Sequence, residues 1–162
     1  MPAKLPPEVV ERLRLVPRLS IVLPAVYSAT PVLAAFLLAN VGVLSPGDML
    51  YVFTMLYLAS LPLTGYGVYM LYMLAKGLSC ASSRFTPLLG ILAMLPLGYI
   101  LALVQVGRMV SECKLVGTER LSQPMVDVVL NVITLGLHSI FYAMLLERII
   151  DANIGARPTE KE

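Results

Sequence analysis

The stretch VVLNVITLGLHSIFYAML, residues 128–145, carries no charged residue, yet it holds His138, the one histidine in the chain. Asp127 precedes it and Glu147 follows it, so the charge-free window is long enough to form a helix that nearly crosses a hydrocarbon core of about 30 Å. Three further windows have the same form. No charged residue falls between Arg18 and Asp48, between Asp48 and Lys76, or between Arg84 and Arg108. These windows predict four transmembrane helices at about 20–43, 49–75, 87–107 and 125–148, and hence an all-α membrane protein.

Composition points the same way. The 162-residue chain is 58% hydrophobic and only 14% charged, with a mean hydropathy of +0.83. Soluble domains carry nearer a quarter charged residues, and a chain this short cannot cover so much apolar surface by itself. Lipid is the implied solvent and the implied partner, with a homo-oligomer or other membrane proteins as the protein partners. The basic residues sit at predicted helix ends rather than in one patch, which gives no reason to expect a nucleic-acid partner.

The domain organisation follows from these windows: an N-terminal arm over 1–18, a transmembrane domain over 19–150, and a polar tail over 151–162 expected to be disordered. In the arm, Val9, Leu13 and Val16 share a helical face, which predicts a short helix lying at the membrane surface. The first apolar run is too long, and lacks a small-residue exit, for a cleaved signal peptide. Short-loop lysines and arginines collect on the cytoplasmic side. With both termini cytoplasmic, nine basic residues lie inside and three (Arg108, Lys114 and Arg120) outside, so this orientation is expected. It also places Cys80 inside and Cys113 outside, too far apart for an intrachain disulfide.

A shift of 72 residues superposes Leu23-Pro24-x-x-Tyr27 on Leu95-Pro96-x-x-Tyr99, and Tyr66–Leu71 on His138–Ala143. One shift serves both helix pairs, which suggests a duplicated helical hairpin, two helices per unit and both units in the same orientation.

On a continuous fourth helix, Asp127, Asn131, Thr134 and His138 fall within an arc of about 60°, with Tyr142 beside them. Gly136, Ser139 and Ala143 take the opposite side, where small side chains admit another helix. Ser60, Thr64 and Gly67 form a second small-residue face on the second helix, and Pro62 is expected to bend it. Tyr66, Tyr69 and Tyr72 read as interfacial anchors, and Gln105 and Arg108 as side chains reaching for water. His138 has two readings. As a titratable group within a membrane it is a proton or ligand site. As a packing group it is a neutral imidazole bonded across a helix interface. The second is the expectation, since no other buried charge is in view as its partner. Asp127 reads as a helix-start anion.

The chain has no Walker loop, no nucleophile elbow, no HExxH motif and no paired carboxylates, and its two cysteines have no metal or redox spacing. No catalytic residue, metal or cofactor is expected. The pattern favours a non-catalytic accessory, scaffold or assembly subunit working through helix contacts. The alternative is a small transporter or channel built around the polar stripe.

Val132-Ile-Thr-Leu-Gly-Leu-His-Ser-Ile-Phe-Tyr142 resembles the repeated helix of a family of small prokaryotic membrane proteins known as domain of unknown function 4234, whose helices read roughly I-T-L-G-I-Y-G-I-Y-W-L-Y. Tyr66-Gly-Val-Tyr-Met-Leu-Tyr72, followed by Lys76, looks like the second half of that pattern. The resemblance covers about 60 residues. It implies no known activity, and it implies that His138 replaces a packing tyrosine.

Overall fold

The computed structural model describes residues 19–42, 44–121 and 123–155, together with Pro7, Glu11 and Arg14. The expected surface helix of the arm rests on Val9, Leu13 and Val16, which lie outside the described residues, as do residues 156–162. Among the described residues the fold is entirely helical, as expected: α1 (Leu19–Val41), α2 (Pro46–Gly77), α3 (Pro87–Ala93), α4 (Tyr99–Glu112), a 3-10 turn at Thr118–Leu121, α5 (Pro124–Ile133) and α6 (Leu137–Gly155). Of these, α1 and α2 are long and apolar enough to cross a membrane.

These two helices form an antiparallel hairpin. Gly42 closes α1 in the left-handed region at φ +67°. Ser45 opens α2, its Oγ accepting from the Asp48 N–H at 3.3 Å and donating to the Asp48 carboxylate at 2.6 Å. Pro46 takes the first turn, where a missing N–H costs nothing, and Asp48 suits the positive end of the helix dipole. Although Pro24 and Pro31 lie inside α1 and Pro62 inside α2, each helix runs through them. The predicted small-residue face of α2 is the contact: Ser60, Thr64 and Gly67 are all buried. A Cβ on Gly67 would lie 2.3 Å from the Pro24 ring, so the hairpin closes only over glycine.

The third and fourth predicted helices are each broken in two, which corrects the expectation of two single helices. Between α3 and α4 the chain turns at Pro96-Leu97-Gly98, with Leu97 at φ +62°. Proline cannot donate to a helix and disfavours helical geometry at the residue before it. Gly98 folds over the end of α3, where a Cβ would stand 2.0 Å from the Leu92 carbonyl oxygen. Between α5 and α6, the Gly136 N–H bonds the Asn131 carbonyl at 2.8 Å and the Leu135 N–H bonds that of Val132 at 3.2 Å. With Leu135 at φ +52° and Gly136 at φ +95°, this is a Schellman stop.

Each broken pair starts and finishes at the end of the bundle where α2 finishes. α3 leaves the 78–86 loop and runs back along α2: Gly90 lies against Val68, and the Tyr57 hydroxyl donates to the Met94 carbonyl at 3.0 Å. α4 then returns, bringing Cys113 to Cys80 with their Cα atoms 5.4 Å apart and their sulfurs bonded. The same reversal recurs in α5 and α6. Asn131 reaches Leu97 at the start of α4, and Asn153 comes back to Val116 beyond its end. Cys80 and Cys113 therefore share one end of the molecule, and the expectation that they stand a membrane apart is overturned.

The two halves related by the 72-residue shift do not share a conformation. Leu23-Pro24 lies inside the continuous α1, while Leu95-Pro96 lies in the turn between α3 and α4. The polar tail also begins later than expected: α6 continues to Gly155, and Asn153 accepts from the Val116 N–H and donates to its carbonyl, both at 3.1 Å. The core lies between α4, α6 and the C-terminal half of α2, around Leu71, Leu74, Tyr99, Leu103, Val106 and Leu146.

Candidate functional site: the turn between α5 and α6

The break at 134–136 decides what the polar stripe becomes. Asp127 and Asn131 remain on α5, His138 and Tyr142 pass to α6, and Thr134 stands at the turn. His138 Nε2 then lies 2.9 Å from Asp127 Oδ1. His138 was expected to lack a charged partner; the turn supplies one. The two side chains keep 22% and 16% of their surface exposed, so the pair is mostly enclosed without being sealed. With the carboxylate as acceptor, the imidazole donates through Nε2–H.

Asn131 is fully buried and joins three elements. Its Nδ2 donates to the Leu97 carbonyl at 3.2 Å, and its Oδ1 accepts from the Ser139 N–H at 2.9 Å. Thr134 Oγ1 accepts from the His138 N–H at 3.0 Å, as a helix cap does, and donates to the Leu130 carbonyl at 2.7 Å. Ser139 Oγ donates to the Gly136 carbonyl at 2.6 Å. Tyr142 is buried with its ring centroid 6.4 Å from that of His138, and its hydroxyl fills the space above Gly107. The stripe therefore holds the turn and presses its tip onto the Leu97 turn.

The opposite, small-residue face packs as its composition suggests. Gly136 meets Ala29 and Leu97 so closely that a Cβ would lie 2.8 Å from each, while Ser139 and Ala143 are buried. On α2, by contrast, Tyr66, Tyr69 and Tyr72 remain exposed, with Tyr72 edge-on to Phe85. Gln105 donates to the Arg84 carbonyl at 3.1 Å, and Arg108 pairs with Glu112 at 3.3 Å.

A second polar cluster, at Glu112, was not singled out from the sequence. One carboxylate oxygen accepts from the N–H groups of Ser82 and Ser83 and from the Ser82 hydroxyl, each at 2.9 Å, and the other accepts from the Ser83 hydroxyl and Arg108. These donors, Ser83 foremost, hold the Glu112 carboxyl down at about 2 despite partial shielding from water. The adjacent Cys80–Cys113 bond ties the same loop to the same helix end. The available signal was the serine pair beside one cysteine and the glutamate beside the other; only the chain reversal brings them together. Among the described residues no three potential metal ligands converge. Compared with known proteins, the chain matches no family, no curated protein and no solved structure.

Proposed function

We propose that the chain is an integral membrane protein in which α1 and α2 cross the bilayer, while α3–α4 and α5–α6 enter it from one face and return. At about 1.5 Å per residue, the 23-residue α1 is about 34 Å long and the seven-residue α3 only about 10 Å. Irregular backbone is tolerated at membrane depth where protein covers it, and the Leu97 carbonyl and Ser139 N–H both bond Asn131. Between residues 19 and 155 every lysine and arginine lies in or after α2's last turn, which is at the end where both re-entrant pairs are anchored, while the stretch 42–45 has none. That asymmetry supports a cytoplasmic location for both termini.

Within the membrane the protein acts as a non-catalytic accessory or scaffold subunit. The observation that carries this reading is the self-sufficiency of the stripe. Among the described residues no buried side-chain nitrogen or oxygen lacks a partner, and the stripe's hydrogen bonds close within the chain. Contacts outward fall to exposed apolar side chains, among them Phe36, Leu37, Leu50 and Tyr51 on the α1–α2 hairpin and Ile91, Ile133 and Phe141 on the re-entrant pairs. Kinship with the domain of unknown function 4234 belongs to the same proposal, with His138 in the place of a packing ring. Native mass spectrometry after mild extraction tests it: a retained second copy or membrane partner is expected, and a lone monomer under every mild condition refutes it.

A proton-carrying role is the second reading, favoured by the Asp127–His138 contact and its residual exposure. It requires proton flux by the purified protein in liposomes, abolished by His138→Asn without loss of fold.

A further inference from the structure

The end of the bundle that holds the disulfide also holds Lys76, Arg84, Arg108, Lys114, Arg120 and Arg148. In a membrane protein these two features carry opposite addresses. Basic residues in short loops mark the cytoplasmic side, whereas stable disulfides belong to oxidising compartments and are rare in reducing cytosol. The charge evidence is the broader of the two, because six separate positions contribute and the other end of the α1–α2 hairpin carries only Asp48. The cysteines must then be bonded where thiols are the ordinary state.

Resting on the membrane reading and its orientation, we propose that Cys80 and Cys113 form a reversible thiol–disulfide exchange site on the cytoplasmic face, whose co-reactant is a dithiol. Cys80 is exposed and Cys113 is 7% exposed, so an incoming thiolate reaches the Cys80 sulfur. Its attack forms a mixed disulfide at Cys80 and expels Cys113 as a thiolate, which takes up a proton. The second thiol of the reductant then attacks its own sulfur in the mixed disulfide and releases Cys80, also protonated. The protein gains two electrons and two protons, and the dithiol becomes a disulfide.

Reduction need not scatter the two cysteines. Glu112 holds Ser82 and Ser83, and Gln105 holds the Arg84 carbonyl, so the loop stays docked on α4. A Cα separation of 5.4 Å lies within bridging range and is maintained by neighbours that are not sulfurs. The pair is thus arranged to close again. It also spans the base of the α3–α4 pair, whose tip at Leu97 is the acceptor for Asn131, which links the site to the stripe.

The test uses the full chain in cells whose thiols are frozen by acid quenching and then counted by a mass-shifting maleimide. Both cysteines should be thiols at rest, bonded after a diamide challenge, and thiols again after dithiothreitol. A membrane-impermeant maleimide should label Cys80 in inside-out vesicles and not in sealed right-side-out vesicles. A pair that is oxidised at rest, or that never closes under diamide, overturns the proposal; so does labelling from outside. Cys113→Ser removes the intramolecular partner, so any protection of Cys80 after diamide in that variant should carry the added mass of a bound thiol. Protection without that mass would also count against the proposal. Failure of the membrane reading itself would appear separately, as release of the protein by alkaline carbonate.

Discussion

His138 and Asp127 are eleven positions apart in the chain and 2.9 Å apart in space. On an unbroken helix they would stand about 16 Å apart along the axis. The contact is therefore a property of the turn between α5 and α6, and each side chain helps fix the angle at which the two helices meet.

Coupling between these two residues should be measurable. His138→Leu strands the Asp127 carboxylate and Asp127→Leu strands the imidazole, each costing about 1–3 kcal/mol. The double variant should cost less than the sum of the two, with a coupling of about 1 kcal/mol. Thermal unfolding of the four proteins in one detergent gives the cycle. Strict additivity would mean that the contact contributes nothing to stability.

The glycines of the two turns should divide sharply from the glycine that ends α1. An alanine at Gly98 would drive its methyl into the Leu92 carbonyl oxygen, and an alanine at Gly136 meets both φ +95° and the Ala29 side chain. Either change should abolish folding or cost more than about 3 kcal/mol. Gly42 sits at φ +67° with open space around it, so Gly42→Ala should cost only about 1–2 kcal/mol, the left-handed penalty alone. Expression yield and melting temperature separate the two classes.

Acid should loosen the 79–83 loop. Because the Glu112 carboxyl is lowered from the usual 4.5 to about 2 in the folded chain, its stabilising contribution is complete above pH 4.5 and disappears as pH falls toward 2. Melting temperatures of the native protein and of Glu112→Gln should thus differ at pH 6 and converge near pH 2. A constant difference across that range would remove the carboxylate's charge from the explanation.

These relationships show where the sequence was legible. Charge-free windows located α1 and α2, since a long apolar run has few alternatives to a continuous helix. The same windows could not reveal reversals, because a turn buried by protein needs no charged residue. Pro96 and Gly98 were visible as breakers yet were read inside a single helix, and Gly136 was read as a packing surface when it also serves as a helix stop. Periodicity did gather the stripe, since Asp127 and Asn131 keep their helical spacing on α5, and His138 and Tyr142 on α6. It could not supply the partner of His138 or bring Cys80 to Cys113, as both contacts depend on the direction in which the chain leaves a turn.

Asn131 provides the most demanding test of the stripe's role. Its side chain is fully buried, and both of its hydrogen bonds go to backbone groups near the turns, the Leu97 carbonyl and the Ser139 N–H. Asn131→Leu is close in size and removes both bonds, so the loss should reach about 2 kcal/mol or more, with two buried groups left unpaired. Thr134→Val removes the acceptor for the His138 N–H at a partly exposed position, and about 1 kcal/mol is expected. Asn131→Asp discriminates further, because it keeps the acceptor for Ser139 while losing the donor to Leu97 and burying an acid. It should be at least as damaging as leucine at pH 7 and should recover in part at low pH, where a protonated carboxyl can donate again. Stability of the three variants against pH in detergent provides the check. If Asn131→Leu melts with the native protein, the two turns are held together by apolar packing alone and the stripe is not what joins them.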